Sequence, residues 1–264
     1  MNKEEIISYL SKEWKRCGIN KGDVLLVHSS LKRLINEVKN RKNIVITPHI
    51  VYDSLINSLG SNGTLILPLF NFDFPKTKTF DIINTPSHMG MLTEIARLDK
   101  SSIRTGHPIY SFAVIGKKSN EFANIDNYSG YGKDSPFAKI KELNGKIAII
   151  GLSDQRSMTS YHFVEEQKQV EYRYYKEFTG DYFDKTGNKN KKTYALYVRN
   201  LEKGITTDVN RMMDYLWENG FYKGDKFDEG LGMRTIKFND FYNEVEKKIE
   251  EGNAINFIYS IKKE

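Results

Sequence analysis

Lys146-Ile147-Ala148-Ile149-Ile150-Gly151, followed after a polar stretch by Thr159-Ser160-Tyr161-His162-Phe163-Val164-Glu165-Glu166, decides how this chain is read. The first run is short, apolar and ended by glycine, as a buried strand is. Residues 154–159 are polar, and Thr159 or Ser160 carries the hydroxyl of an N-cap for the helix that follows. His162 and Glu165 then stand three apart, on one helix face and within side-chain reach of each other. A carboxylate beside an imidazole raises its basicity and fixes its orientation. The pair would sit just beyond the carboxyl end of a strand, where open α/β sheets place their ligands. Taken alone, His and Glu at this spacing read first as a solvated surface pair. Half a metal site is a further reading, although no second His or Cys lies near enough in sequence to complete one.

Outward from this unit, strands and helices alternate. Apolar residues at Ile6, Ile7, Leu10 and Trp14 predict a helix over 2–17. Strands are expected at 23–28, 63–68, 110–116 and 147–150, and helices at 47–59, 88–98 and 135–143, the first of these helices starting at Thr47-Pro48 and stopping at Gly60. This alternation predicts an α/β fold, a layered α/β/α arrangement with a mainly parallel central sheet. Beyond Glu166 the character changes. Residues 170–178 are rich in Tyr and charge, 184–188 form a hairpin-type turn and 193–198 a return strand, so the C-terminal strands are antiparallel. Helices are expected at 208–219 and 238–250. No linker rich in Pro, Gly or Ser interrupts the chain, which reads as one continuous domain over 1–264.

With 264 residues, 39% hydrophobic and 28% charged, the composition is that of a soluble globular protein, and no apolar run approaches a transmembrane span. The charged, amphipathic start lacks the apolar core of a signal peptide, and the lone Cys17 fits a reducing, cytoplasmic setting. Cys17, at an expected helix end, reads as structural. The net charge of +6 is scattered rather than gathered on one element, which argues against nucleic acid and for an anionic ligand.

The ordered segments resemble a family. Residues 22–31 (GDVLLVHSSL), Thr85-Pro86-Ser87-His88-Met89-Gly90, Arg104-Thr105-Gly106-His107-Pro108 with Ser111-Phe112-Ala113, Gly132-Lys133-Asp134-Ser135-Pro136, and His162 to Glu165 are similar, in this order, to motifs of the aminoglycoside 3-N-acetyltransferases, the antibiotic N-acetyltransferase family. The 220–234 stretch also has that family's spacing. The resemblance implies the family's own α/β/α fold rather than the GNAT fold, and acetyl transfer from acetyl-CoA to an amine of an amino sugar, with no metal. It implies His162 and Glu165 as the catalytic pair. An ammonium cannot attack a thioester, and an imidazole backed by a carboxylate can take its proton near neutral pH. For acetyl-CoA the candidates are Ser29, Ser30 and Lys32 at a strand-to-helix junction, with Thr105, His107 and Ser111 as a second wall; each hydroxyl is as readily an ordinary cap. His28 reads as structural, and His107 is open to the same reading. His49 is expected on a helix surface, and His88 to be exposed.

For the acceptor, Phe72 and Asp73 in the aromatic loop 70–74 and Asp208 are the candidates: an aromatic face stacks on a sugar ring and a lone carboxylate orients one amine. Acids are few between Val198 and Asp208, and the chain is basic, so a nucleotide-linked amino sugar of surface-polysaccharide synthesis suits it better than a polycationic aminoglycoside. Two other functions stand beside this one: a non-catalytic CoA-binding relative, and a metal-dependent hydrolase using His28, His107 and His162.

Overall fold

The computed structural model describes residues 1–262. Helix α1 (Lys3–Arg16) starts at Asn2, whose side chain accepts from the Glu5 amide while the Glu5 carboxylate accepts from the Asn2 amide, a reciprocal capping box. It is followed by β1 (Val24–Ser29), α2 (Leu31–Lys42), α3 (Pro48–Leu59) and β2 (Thr64–Pro68). Next come α4 (Phe74–Thr77), β3 (Thr79–Asp81), α5 (Met91–Leu98), β4 (Ile103–Arg104) and β5 (Phe112–Gly116). Then follow α6 (Pro136–Glu142), β6 (Lys146–Ile150), α7 (Ser160–Gln167) and a long hairpin of β7 (Arg173–Phe183) and β8 (Lys189–Arg199). The described chain ends with β9 (Ile205–Thr207), α8 (Asn210–Glu218), β10 (Lys223–Gly224), β11 (Met233–Lys237), α9 (Phe238–Glu250), α10 (Ala254–Phe257) and β12 (Tyr259–Ile261).

Seven strands form the main sheet in the order β10-β11-β6-β1-β2-β5-β4. Side chains alternate across it. Leu25, Val27, Ala148 and Ile150 face one apolar layer with Leu10 and Trp14 of α1 and Leu55 of α3. Leu26, Ile147 and Ile149 face the other, with Phe137 of α6, Phe163 of α7 and Phe241 of α9. Helices on both faces make the three-layered α/β/α arrangement expected from the alternation.

The sheet is mixed rather than mainly parallel. β6, β1 and β2 run parallel at its centre, but β5 is antiparallel to β2 and β11 to β6. The reason lies in the connections. Pro68 pairs with Phe112, so the chain between β2 and β5 leaves and rejoins the sheet at the same edge. Ile150 pairs with Met233, so residues 151–232 do the same between β6 and β11. Alternating strands and helices in sequence cannot tell such an excursion from a crossover that runs back along the sheet. The hairpin β7–β8 is antiparallel over eleven residue pairs, as the C-terminal strands were expected to be.

Two helix starts differ from expectation. The helix foreseen over 88–98 begins at Met91, because the Ser87 hydroxyl takes the Met89 amide and Gly90 turns at φ +99°. Neither Thr159 nor Ser160 caps α7. Thr159 is already helical, and the amides of Tyr161 and His162 bond back to the Met158 and Thr159 carbonyls, a tight turn that needs no hydroxyl. Cys17 is buried at the end of α1, where burial pushes its thiol up to about 11. Among the described residues no helix is long and apolar enough to cross a membrane.

Candidate active site

The carboxyl ends of β1, β2 and β6 and the starts of β5 and β11 lie along one edge of the sheet, and the two excursions rise from it. At the end of β6 the chain turns sharply at Gly151, with φ +64°. A Cβ there would meet the Ser30 carbonyl oxygen at 2.6 Å, so the turn packs directly on the junction after β1. The next residues, up to Met158, are held from below by a buried network. Arg234 of β11 donates to Asp154 at 2.7 Å and to the Leu152 carbonyl at 2.7 Å, while the hydroxyls of Tyr161 and Tyr222 donate to the other Asp154 oxygen at 3.0 and 2.6 Å. Both Asp154 and Arg234 are buried.

On α7, His162 and Glu165 meet as their spacing predicts. The Nδ1 of His162 lies 2.8 Å from a Glu165 carboxylate oxygen, and Glu165 is fully buried. A third member joins them from the hairpin. Arg173, at the start of β7, places Nε 2.9 Å from the same Glu165 oxygen and Nη2 2.8 Å from the His162 Nδ1, and Nη1 donates to the Tyr197 carbonyl at 3.0 Å. One ring nitrogen cannot both donate to Glu165 and accept from Arg173. The carboxylate needs a donor, and a proton on Nδ1 supplies it, leaving the lone pair on Nε2, which has no hydrogen bond among the described residues. Burial lowers the pKa of His162 and the charge of Arg173 lowers it further, against the opposing pull of Glu165. Burial alone would raise the Glu165 carboxyl, but Arg173 and the His162 hydrogen bond carry it below its ordinary value.

His162 stands between two cavities and lines both. The first, about 320 Å³, opens at the strand ends and is lined by His28, Ser29, Phe70, Phe72, Asp154 and Thr159 among others. Two buried polar atoms in its wall, His28 Nε2 and Thr159 Oγ1, have no partner among the described residues. The second, about 340 Å³, lies between Tyr110, Tyr131 and His162 on one side and the β7–β8 hairpin on the other.

The other candidates separate. Ser29 lines the first cavity; Ser30 is at the start of α2 with no side-chain cap bond, and Lys32 is exposed on α2, neither lining either of these two cavities. The wall expected from Thr105, His107 and Ser111 is interior structure instead. Thr105 Oγ1 accepts from the Phe112 amide, Ser111 joins Arg104 to the Leu69 carbonyl, and His107 accepts the Ile109 and Tyr110 amides on Nδ1 while Nε2 reaches the Ala195 carbonyl. These side chains hold the 105–111 turn against β8, and sequence alone cannot distinguish a hydroxyl that serves a ligand from one that serves a backbone amide. Phe72 is 48% exposed at the mouth of the first cavity, whereas Phe70 and Phe74 are core. Asp73 points away and pairs with His88 at 3.1 Å, and Asp208 bonds the amide and side chain of Asn210. His28, read as structural, is buried, yet it lines the first cavity. His49 is exposed on α3, as expected. Among the described residues no group of three or more His, Cys, Asp or Glu is placed to hold a metal ion, so His28, His107 and His162 are not gathered as the hydrolase reading requires. Arg173, Tyr131 and the Asp154–Arg234 pair were not foreseen; for Arg173 and Arg234 the only signal was charge inside otherwise strand-like runs, and Tyr131 and Asp154 lie in loops that gave none.

The profile of the family described as aminoglycoside 3-N-acetyltransferase matches residues 26–250. The chain belongs to this family. Curated members of the aminoglycoside 3-N-acetyltransferase family that it resembles include the SPbeta prophage-derived aminoglycoside N(3')-acetyltransferase-like protein YokD of Bacillus subtilis, 27% identical over 179 residues, covering 59% of this chain and 63% of the relative. Another is aminoglycoside N(3)-acetyltransferase IV of Salmonella sp, 25% identical over 158 residues, covering 59% of this chain and 56% of the relative. The chain thus aligns with less than two thirds of the length of these curated relatives. In three dimensions the likeness is more extensive. AAC-IIIb in its binary complex with CoASH superposes with a TM-score of 0.74 at 17% identity, covering 93% of this chain and 96% of that one. AAC-VIa bound to sisomicin gives 0.76 at 19%, covering 96% and 99%. These structural neighbours share the fold.

Proposed function

We propose that this member of the aminoglycoside 3-N-acetyltransferase family is an acetyl-CoA-dependent N-acetyltransferase acting on an amine of an amino sugar. The observation that carries the reading is His162, held by a buried carboxylate and set between two cavities. A base at such a junction can reach an acceptor in one and a donor in the other.

The first cavity suits the coenzyme's pantetheine arm: it opens at the strand ends, Ser29 is in its lining, and its wall has the unpartnered His28 Nε2 and Thr159 Oγ1 to bond to amides. Ser30, half-buried directly after Ser29, and Lys32, exposed in the first turn of α2, are suited to its phosphates. Bound there, acetyl-CoA supplies an activated acyl group. His162 Nε2 takes the proton of the incoming amine as the C–N bond forms, and returns it to the thiolate released when the C–S bond breaks. Glu165 stabilises the imidazolium between those steps. Phe72 offers a face for a sugar ring. For the acceptor we infer a nucleotide-linked amino sugar in preference to an aminoglycoside, because the net charge is +6 and the one acid lining either cavity, Asp154, is already met by Arg234 and two tyrosines.

The test is free-thiol release from acetyl-CoA with a panel of amino sugars, with and without EDTA. The expected result is turnover that survives EDTA and falls roughly 10²- to 10⁴-fold in a folded His162→Ala variant, the range for a lost general base. Binding of acetyl-CoA without turnover on any amine would favour a non-catalytic CoA-binding relative.

A further inference from the structure

The β7–β8 hairpin carries many cations, and they are treated unequally. Toward its turn two of them are neutralised: Lys189 pairs with Asp181 at 2.8 Å and Lys192 with Asp126 at 2.6 Å. Toward His162 they are not. Arg199 and Lys176 have no carboxylate within 4 Å among the described residues, and both line the second cavity together with Arg173. No Asp or Glu lines that cavity.

The register makes this arrangement more costly. Arg173 and Arg199 are direct cross-strand partners, and like charges directly opposed destabilise a sheet. The charge of Arg173 is met by Glu165, so that of Arg199 is left over. It also acts on the site, since Arg199 is among the groups that lower the basicity of His162. Lys176 stands between Tyr174 and Phe178 on one face of β7, with its ammonium 5.9 Å from the Phe178 ring. By the register Arg199 stands with Arg173 on the other face of the hairpin, and the two free cations have in common that both line the second cavity, where the Tyr174 and Phe178 faces on either side of Lys176 suit a flat or ring-shaped group joined to an anion. An anion in this cavity that reaches Arg199 would offset the Arg173–Arg199 repulsion and relieve the field that weakens the base.

We propose that Arg199 and Lys176 bind an anionic group of the acceptor, a phosphate or diphosphate attached to the amino sugar, and so set acceptor specificity from the hairpin side of His162. This rests on the acetyltransferase reading. The same anionic chemistry is present in the phosphates of the coenzyme, so the experiment must separate the two sources.

The double variant Arg199→Gln/Lys176→Gln changes two exposed side chains. Thiol release is measured with a uridine-diphosphate-linked amino sugar and with the corresponding free amino sugar, varying each substrate in turn. The expected result is that the preference in kcat/KM for the phosphorylated acceptor falls roughly 10- to 100-fold, the worth of charge-assisted hydrogen bonds to an anion, and that its KM becomes less sensitive to salt. A rise confined to the acetyl-CoA KM would assign the two cations to the coenzyme and overturn the proposal, as would an unaltered preference. Calorimetric binding of uridine diphosphate is measured in parallel and needs no turnover. Weaker binding by the variant in the presence of saturating CoA supports the site even if no amine is acetylated; equal binding by both proteins overturns it.

Discussion

Replacing Glu165 by Gln tests the His162–Glu165–Arg173 arrangement as a unit. The amide keeps the shape and can still accept a hydrogen bond from the imidazole, but it removes the only carboxylate among the described residues that meets Arg173, whose side chain is 5% exposed. Breaking a buried ion pair by removing one partner costs about 3–5 kcal/mol, because the other charge is left uncompensated. At about 2.1 cal/mol/K of unfolding entropy per residue, 264 residues give about 0.55 kcal/mol/K, so the melting temperature should fall by about 5–9 °C. The chemistry should shift as well. Glu165 is what holds the basicity of His162 up; burial and Arg173 hold it down, and they remain. The acid limb of the kcat/KM profile should therefore move to lower pH, and the plateau should drop because a weaker base removes the amine proton less well. Adding Arg173→Met removes the stranded cation, so the double variant should regain most of the lost melting temperature. The assays are a thermal melt followed by circular dichroism and thiol release from acetyl-CoA across pH 5–9. A melting temperature within about 2 °C of the parent protein, or an acid limb that stays in place or moves up, would refute the coupling of the three residues.

Two further outcomes follow from buried charge. Burial holds His28 and His107 at about 4, below the ordinary 6.5, so the unfolded chain binds more protons between those values; stability should be full above pH 6.5 and decline toward pH 4, by on the order of 3 kcal/mol for each histidine. Urea unfolding at pH 7 and 4.5 measures this, and equal stability at the two would count against it. Arg234→Met should cost about 3–5 kcal/mol by leaving Asp154 with tyrosine hydroxyls alone, and should raise the acetyl-CoA KM because residues 152–158 line the first cavity; a melt and a substrate titration check both effects, and Arg234→Met/Asp154→Asn should melt higher than Arg234→Met.

The parts of this site visible in the sequence are those governed by local geometry. Val24 to Val27 and Ile147 to Ile150 are uniformly apolar because they are buried on both faces, and His162 meets Glu165 because three residues of helix bring them together whatever surrounds them. What could not be read depends on pairing between distant segments. Arg173 reaches His162 only through the position of β7 after the turn that follows α7. Asp154 and Arg234, 80 residues apart, meet only because β11 pairs with β6 in one register. The direction of β5 and β11 was illegible for the same reason. Thr105, His107 and Ser111 had the chemistry of a ligand wall, and only tertiary structure shows their partners to be the chain's own amides and carbonyls.

The two excursions depart from and rejoin the sheet at neighbouring positions, Pro68 beside Phe112 and Ile150 beside Met233. A segment anchored in this way can change length with little thermodynamic consequence, since doubling a flexible loop adds only about 0.6 kcal/mol of closure entropy. The five strands outside the excursions, β11-β6-β1-β2-β5, need not re-register to accommodate it. Apart from the short edge strands β4 and β10 that they carry, residues 69–111 and 151–232 are therefore a superstructure on a fixed foundation, and a new acceptor preference could arise by grafting a different hairpin in place of residues 173–199 while the strands beneath keep every pairing they have now.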